Sequence, residues 1–274
     1  MKKHGTTILL MIVFLVGLSL LLYPTFADWW NSMHQSRAVA SYVEQVATMD
    51  QNRYEELWNA AEAHNRELLN RENAFVLEED KIADYENLLN VGGTGIMGYV
   101  EIPEIGVTLP IYHGTDEAIL QIAVGHLEWT SLPVGGESTH AVISGHRGLP
   151  SAKLFTNLDM LAEGDLFLLR VLDEILTYEV DQILIVEPHE VQNLQIEQGK
   201  DLCTMVTCTP YGVNSHRLLV RGHRVENTEV AKTVRVTADA MQIEPVVVAP
   251  VVAIPMLLIL LIILLLPKKN KNRR

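Results

Sequence analysis

The sequence is organised around residues 202–224, which read LCTMVTCTPYGVNSHRLLVRGHR. Residues 202–207 are apolar and β-branched, residues 210–214 contain the Pro, Gly and Asn that favour a turn, and residues 218–220 are again apolar. The pattern therefore predicts two strands joined by a turn. Cys208 then lies at the end of the first strand, and Arg217 returns beside it on the second.

Both cysteines of the chain, Cys203 and Cys208, fall in the first predicted strand. Because side chains alternate between the two faces of a strand, an odd offset points these thiols in opposite directions. We therefore expect no disulfide between them, and their spacing does not match a structural zinc site. A cysteine in an apolar strand is usually a small buried residue, which is how we interpret Cys203. Cys208, at the strand end, is a candidate nucleophile.

A cysteine nucleophile needs a histidine that transfers protons and a group that stabilises an oxyanion. His146, in a Gly-His-Arg-Gly segment, and His126, in Gly-His-Leu, are the two histidine candidates, and the residue pattern does not separate them. Arg217 is the candidate for the oxyanion because it lies near the turn that follows Cys208. Arg221 is four residues further on, so an unbroken strand points it to the same face as Arg217.

The composition fits one soluble domain with membrane segments, since 48% of the 274 residues are hydrophobic. The formal net charge is −13, and seven of the basic residues lie at the two ends of the chain. The part between them has 14 basic and 34 acidic residues, a charge of −20 (14 − 34). This charge argues against nucleic-acid binding, which needs a basic face.

The N-terminal region, residues 1–27, is interpreted as a membrane anchor or signal segment. Residues 8–22 form an uncharged, mainly apolar run of 15 residues that follows Lys2 and Lys3. This length suits a signal peptide, whereas an extension to residue 27 reaches the ~20 residues that span a bilayer. Trp29 and Trp30 would suit the outer membrane interface.

The next region, residues 28–93, is predicted to be a helical extension with a lid-like part. Apolar residues recur at helical spacing between residues 36 and 69, which predicts one or two amphipathic helices packed on the domain. Residues 71–90 are acidic and irregular, and the glycine-rich residues 92–95 indicate a linker.

The central region, residues 94–226, contains short β-type segments separated by Gly, Pro, Asn and Asp, which predicts an all-β sandwich or barrel. Short helical interruptions are predicted at residues 116–124 and 152–158. The predicted strands are 97–102, 107–112, 141–144, 166–172, 175–186, 202–207 and 218–225.

The C-terminal region is predicted to return to the membrane. Residues 227–245 form a polar stalk, residues 246–266 are 21 residues without a charge, and residues 267–274 form a basic tail. The uncharged stretch predicts a second transmembrane helix, and the basic tail places its end in the cytoplasm. The simplest topology is a hairpin that holds the domain outside the cell at both ends.

Several motifs together resemble the sortases, the cysteine transpeptidases of Gram-positive surfaces. Residues 204–208 (TMVTC) are similar to the Thr-Leu-x-Thr-Cys signature of that family, with Met in place of Leu. Further motifs resemble class C, the pilus-building sortases: GIMGYVEIP (95–103), LPIYHGT (109–115), GHL (125–127), SLPVGG (131–136), SGHRG (144–148) and HRLLVRG (216–222).

The resemblance implies a mainly β fold, a closed eight-stranded barrel, and a two-step acyl transfer without a cofactor or metal. Cys208 would attack the Thr–Gly bond of an LPXTG-type sorting signal, His146 would protonate the leaving amine, and Arg217 would stabilise the oxyanion. A lysine of the next pilin subunit would then resolve the thioester. The implied partners are LPXTG-bearing pilin subunits and the membrane, and the implied location is the cell membrane, with the catalytic domain on the extracellular face.

One departure from the family concerns access to the thiol. Many class C sortases carry an Asp-Pro-aromatic lid before the barrel, and no such tripeptide occurs in residues 71–90. Asp80 and Asp84 are acidic, but neither is followed by Pro. We therefore expect an open cleft, or a loose cover with few buried apolar groups.

Two alternative functions remain open at this point. A housekeeping sortase would transfer surface proteins to a cell-wall precursor, although the predicted C-terminal helix favours class C. A wall-anchored surface protein without catalytic function would also have an exported domain, an apolar helix and a basic tail. However, the Leu-Pro pairs of this chain at 109–110, 132–133 and 149–150 do not continue as x-Thr-Gly.

Overall fold

The strands of this chain close into a barrel that is preceded by three helices. The computed structural model describes residues 2–70 and 79–227. The helices are α1 (Lys2–Ala47), α2 (Gln51–Leu68), α3 (Glu79–Asn87) and α4 (Glu117–Leu120). The strands are β1 (Ile96–Ile102), β2 (Val107–His113), β3 (Val124–His126), β4 (Thr139–Ser144), β5 (Leu166–Val171), β6 (Glu174–Val186), β7 (Asp201–Thr209) and β8 (His216–Val225).

The strand order around the barrel is β1-β2-β3-β4-β7-β8-β6-β5, and β5 pairs with β1 to close it. Two neighbouring pairs, β2 with β3 and β4 with β7, are parallel, and the other pairs are antiparallel. The expectation of a closed eight-stranded barrel is confirmed. Closure leaves no free edge, so every strand finds partners on both sides.

Of two predicted helical interruptions between strands, one is shorter than expected and the other is wrong. The predicted helix 116–124 is helical only over α4, and the chain then enters the short strand β3, which the sequence pattern did not reveal. The predicted helix 152–158 is a series of turns followed by a 3-10 helix at Leu158–Met160. Leu154 has a φ of 41°, which interrupts a right-handed helix, and the N–H of Phe155 bonds to the carbonyl of His146 instead of a helical partner.

Among the described residues, α1 is the one helix long and apolar enough to cross a membrane. Its apolar part has a mean hydropathy of 2.4 and is not buried in the protein. The helix continues through Pro24 and past the predicted boundary between residues 27 and 28 without a break. This agrees with an N-terminal anchor. The predicted second transmembrane helix, residues 246–266, lies outside the described residues.

The second half of α1 packs against the outside of the barrel. Tyr42 is buried, its hydroxyl donates to the carbonyl of Met97 (3.1 Å), and it accepts a bond from the N–H of Leu172 (2.7 Å). It thereby joins α1 to β1 and to the turn between β5 and β6. The predicted amphipathic stripe therefore faces the domain, as expected.

Helix α2 covers one end of the barrel. Leu57 and Ala61 are buried in the main core, and the amide of Asn65 bonds to both backbone groups of Leu132, at 3.0 and 2.7 Å. Asp50 accepts a hydrogen bond from the N–H of Arg53 and caps the start of the helix. α2 is thus part of the fold, not an appendage to it.

The lid-like part is only partly described, because residues 71–78 lie outside the described residues. The described remainder carries Tyr85 and Leu89, which are 2% and 0% exposed and belong to the main core. The expectation of few buried apolar groups is therefore wrong for residues 79–90. Their anchoring comes from tertiary contacts, which the acidic local composition did not indicate.

Candidate active site

Strand β7 places its two cysteines in opposite environments, as predicted from their spacing. Cys203 and Met205 belong to the main core inside the barrel, whereas Val206 belongs to a smaller cluster on the other face. Cys208 follows Val206 by two residues and is partly exposed, so it shares the outer face. Both thiols are free. Burial raises the pKa of the Cys203 thiol well above its usual range, which keeps that thiol protonated and unreactive.

Arg217 lies directly opposite Cys208 in the antiparallel pair of β7 and β8. Side chains in such pairs share a face and have Cβ atoms about 5 Å apart. The guanidinium Nη1 of Arg217 donates to the carbonyl oxygens of His216 (3.1 Å) and Asn214 (3.4 Å). These bonds hold the cation at the turn next to the thiol, and they leave other donors of the guanidinium for a ligand.

Arg221 shares the face of Arg217 but is occupied by other partners. Its guanidinium binds both carboxylate oxygens of Asp181, at 3.0 Å each, and Oε1 of Glu197 at 2.8 Å. The strand pattern alone did not distinguish the two arginines. Their partners do, because Arg221 is committed to ion pairs with Asp181 and Glu197.

His146 comes beside Cys208 through the parallel pairing of β4 with β7. Ser144 pairs with Val206, and the N–H of Gly145 then donates to the carbonyl of Val206 (3.1 Å). The hydroxyl of Thr207 donates to the carbonyl of Gly145 (2.8 Å). The chain that leads into His146 therefore lies against the end of β7 that carries Cys208.

The loop that carries His146 is held by Phe155. The N–H of Phe155 donates to the carbonyl of His146 (3.1 Å), and its ring packs against Gly145. A Cβ atom at residue 145 would lie 2.8 Å from that ring, so the close packing requires glycine. The backbone of His146 is therefore fixed from both sides.

The imidazole of His146 points one nitrogen at a carboxylate that the sequence had not suggested. Its Nε2 is buried, lies 3.6 Å from Oε2 of Glu117, and has no hydrogen-bond partner in the described part of the chain. The hydrogen bond from the Gln121 amide, followed by the nearby His146, lowers the pKa of the Glu117 carboxyl. Glu117 reaches this place because α4 crosses between β2 and β3, a juxtaposition with no signature in sequence spacing.

His126, the other histidine candidate, is fully buried and committed to the structure. Its Nε2 lies 2.8 Å from the carbonyl oxygen of Ser131, and its Nδ1 lies 2.9 Å from the hydroxyl of Tyr85. Desolvation lowers the pKa of His126 to about 3, so the ring is neutral at physiological pH. Both nitrogens have partners, and the ring is closed to solvent. The geometry thus separates two histidines that the sequence pattern could not.

A second apolar cluster lies on the outer face of the strands next to the thiol. This outer apolar cluster comprises the buried Val142, Val186, Leu194, Val206 and Leu219, with Leu127, Trp129 and Leu184 packed against it. Cys208 follows Val206 along β7, and Arg217 precedes Leu219 along β8, so both lie at the margin of this cluster. The arrangement places a thiol, an imidazole and a guanidinium at the margin of a buried apolar cluster.

Residues 100–225 match the sortase domain model. A crystal structure of sortase C1 from Streptococcus agalactiae is 49% identical, with a TM-score of 0.68, and the match covers 70% of this chain and 100% of that one. The chain belongs to the sortase family. A sortase C of Streptococcus pneumoniae, described in terms of its catalysis and pilin substrate specificity, is 47% identical, with a TM-score of 0.63 and coverage of 70% and 98%.

Curated sortases of other kinds are more distant. Sortase D of Bacillus subtilis is 31% identical over 131 residues, which is 47% of this chain and 63% of that protein. The match to sortase A of Streptococcus agalactiae, at 30% identity, covers 42% of this chain and 47% of that protein. The chain thus spans less than two thirds of the length of these two curated relatives.

Membership of the sortase family bears on the alternatives that the sequence left open. Sortases are cysteine transpeptidases, so the alternative of a wall-anchored surface protein without catalytic function loses its support. The solved sortases at 43 to 49% identity are of class C, which agrees with the motifs of residues 95–222. The roles of Cys208, His146 and Arg217 rest on the geometry above and are proposed below.

Proposed function

We propose that this sortase is a pilin-polymerising transpeptidase. It would cleave LPXTG-type sorting signals between Thr and Gly, and would join the new acyl group to a lysine of another pilin subunit. The main support is that the pairing of β7 with β8 and of β4 with β7 brings Cys208, Arg217 and the His146 loop together on one outer face. The match to class C sortases supports the choice of substrate.

In the first step the thiolate of Cys208 attacks the carbonyl carbon of the Thr–Gly bond. The resulting oxyanion is stabilised by the free guanidinium donors of Arg217. The C–N bond then breaks, and protonated His146 gives its proton to the leaving glycine amine. The product is a thioester between Cys208 and the threonine carbonyl.

In the second step a lysine amine attacks the thioester. Its proton passes to His146, the C–S bond breaks, and Cys208 returns as a thiolate. An isopeptide bond between two subunits is left. Oε2 of Glu117 lies 3.6 Å from Nε2 of His146, close enough to orient the imidazole for both proton transfers.

We further propose that the barrel lies on the extracellular face, held by α1 and by residues 246–266. Substrates with sorting signals are exported, so the thiol must be exported with them. The same proposal divides the chain into an anchor (1–27), an extension (28–93), a catalytic domain (94–226), a stalk (227–245), a second span (246–266) and a tail (267–274).

The proposal is tested by identifying the residue that carries the thioester. We expect mass spectrometry of the protein incubated with an LPXTG peptide to show an adduct on Cys208, and Cys208→Ala to form none. Cys203→Ala is the matched control; it should keep the adduct and lose only about 1 kcal/mol of stability. An adduct on Cys203, or one that survives in Cys208→Ala, would contradict the assignment.

The amine that resolves the thioester distinguishes a pilin-polymerising sortase from a housekeeping sortase. The preformed thioester should be resolved faster by a pilin domain that presents a lysine than by a peptide amine of the cell-wall precursor type. Faster resolution by the precursor amine would identify cell-wall attachment as the function, with the same residues in the same chemical roles.

A further inference from the structure

Helix α1 lies along the wall of the barrel over a considerable length. Asp28 accepts a hydrogen bond from the N–H of Lys153 (2.8 Å), and Asn31 donates one to the carbonyl of Ser151 (2.9 Å). Fourteen residues after Asp28 (42 − 28), Tyr42 accepts a bond from the N–H of Leu172 (2.7 Å). At 1.5 Å per residue, the helix extends ~21 Å between these contacts.

The two sets of contacts lie at opposite ends of the barrel. Residues 151 and 153 are in the loop that follows β4, at the end where β7 reaches Cys208. Leu172 is in the turn before β6, and β6 pairs with β8 so that its early residue Thr177 faces Val225 and its last residue faces Arg217. The turn is therefore far from Cys208. The part of α1 before Asp28 projects beyond the end of the barrel that carries Cys208.

The projecting part of α1 is the part that suits a bilayer. Its apolar side chains are exposed, and Phe26 contacts Trp29 and Trp30 with ring centroids 5.6 and 6.3 Å apart. Tryptophan is enriched where a membrane meets water. Asp28 then lies at this interface, and the loop bonded to Asp28 lies at the same depth.

Large apolar side chains are exposed on the loops at this end. Met160, Tyr211 and Val213 are 66%, 61% and 70% exposed, and we call them the apolar tips. Arg147 connects their two loops: it pairs with Asp159, and its guanidinium carbon lies 5.9 Å from the ring centroid of Tyr211. The apolar tips are therefore held near one another.

We propose that the apolar tips contact the surface of the bilayer that holds α1, so that the end of the barrel with Cys208 faces the membrane. The occupant is lipid because one continuous helix both spans the bilayer and hydrogen-bonds to the loop before Met160. Removal of apolar side chains from water favours this contact. If the proposed function holds, a substrate anchored in the same bilayer meets Cys208 close to its own span.

The test measures the position of the tips in the full chain, reconstituted in lipid nanodiscs. In a Cys208→Ala background, Met160→Cys is labelled with a small fluorophore, while the buried Cys203 stays unlabelled. Lipids with a nitroxide at the headgroup should quench this label at least threefold more than the same label on Glu137→Cys. Glu137 is the matched control, because it is exposed and precedes β4 at the opposite end.

Equal quenching at the two sites, or stronger quenching at residue 137, overturns the proposal.

A second measurement tests the role of the helix contacts. Asp28→Ala combined with Asn31→Ala should reduce quenching at residue 160 towards the value at residue 137, and unchanged quenching overturns that role. Because the readout is position and not turnover, failure here and failure of the proposed function are distinguishable.

Discussion

At the residue scale, the two histidine candidates have opposite environments. One nitrogen of His146 lies 3.6 Å from Glu117, and its loop contacts the end of β7 that carries Cys208, whereas His126 is buried with both nitrogens occupied. We expect His146→Ala to lose nearly all turnover with little change in stability. His126→Gln should instead lose stability and keep most turnover per folded molecule. Peptide-cleavage rates and thermal unfolding of the purified full chain check both, and comparable turnover losses in the two variants would contradict the assignment.

The lowered pKa of His126 also predicts that the free energy of unfolding depends on pH. Its pKa is about 3 in the folded protein and about 6.5 when unfolded, so below pH 6.5 the unfolded chain takes up a proton that the folded chain does not. The stabilisation is complete above pH 6.5 and is lost as pH falls towards 3, at up to ~1.4 kcal/mol per pH unit. Unfolding free energies measured between pH 6.5 and 5 should fall less steeply in His126→Gln than in the parent. Identical slopes would show that His126 is not held neutral.

A substitution at Arg217 tests whether turnover depends on the shape of the guanidinium or only on its charge. Arg217→Lys keeps the charge but removes the planar fork of donors, part of which is bonded to the carbonyls of His216 and Asn214. We expect turnover to fall at least tenfold while the fold is kept. The control is Arg221→Lys, which alters ion pairs away from the thiol and should affect stability more than turnover. If lysine at residue 217 works nearly as well as arginine, the guanidinium does not hold the oxyanion through its fork.

At the scale of elements, the Asn65 amide joins α2 to the backbone of Leu132 and adds to the apolar packing of Leu57 and Ala61. Asn65→Ala would leave the buried N–H and carbonyl of Leu132 without partners, which costs about 2–3 kcal/mol. Asn59→Ala, at an exposed residue of the same helix, should change stability by less than about 0.5 kcal/mol. Denaturant unfolding of the two variants checks the difference. A small effect of Asn65→Ala would mean that α2 is not part of the cooperative unit.

Helices α2 and α3 also limit how access to the thiol can be studied. Removal of all residues before Gly92 would also remove Leu57, Ala61 and Tyr85 from the main core, so a change in the reactivity of Cys208 would not report on a lid alone. Substitutions within residues 71–78 leave these contacts in place. They are the better way to ask whether that segment covers Cys208.

At the scale of the whole molecule, hydrogen bonds from Asp28 and Asn31 join the anchor helix to the barrel. We expect a sorting signal on a membrane-anchored pilin in the same bilayer to be cleaved at least tenfold faster than the same signal as a free peptide at equal nominal concentration. Asp28→Ala with Asn31→Ala should reduce this preference without a change in the rate on free peptide. Cleavage rates in proteoliposomes check the prediction, and an unchanged preference would show that orientation by α1 does not contribute.

The sequence by itself determined seven of the eight strands, the turn after Cys208 and the opposite facing of the two thiols. These features depend on local chemistry: β-branched runs, turn residues and the two-residue period of a strand. The apolar run that begins α1 was equally visible. The motifs between residues 95 and 222 indicated the family, and hence the closed barrel, which local periodicity alone left as a barrel or a sandwich.

Only the tertiary structure decided which residues meet. His146 and His126 occur in similar sequence contexts, and the parallel pairing of β4 with β7 sets one beside Cys208, while Tyr85 and Ser131 enclose the other. Glu117 reaches His146 because α4 crosses between two parallel strands. The orientation of α1 along the barrel is likewise a matter of distant contacts. Such pairings join residues far apart in the chain, so no local period or propensity encodes them.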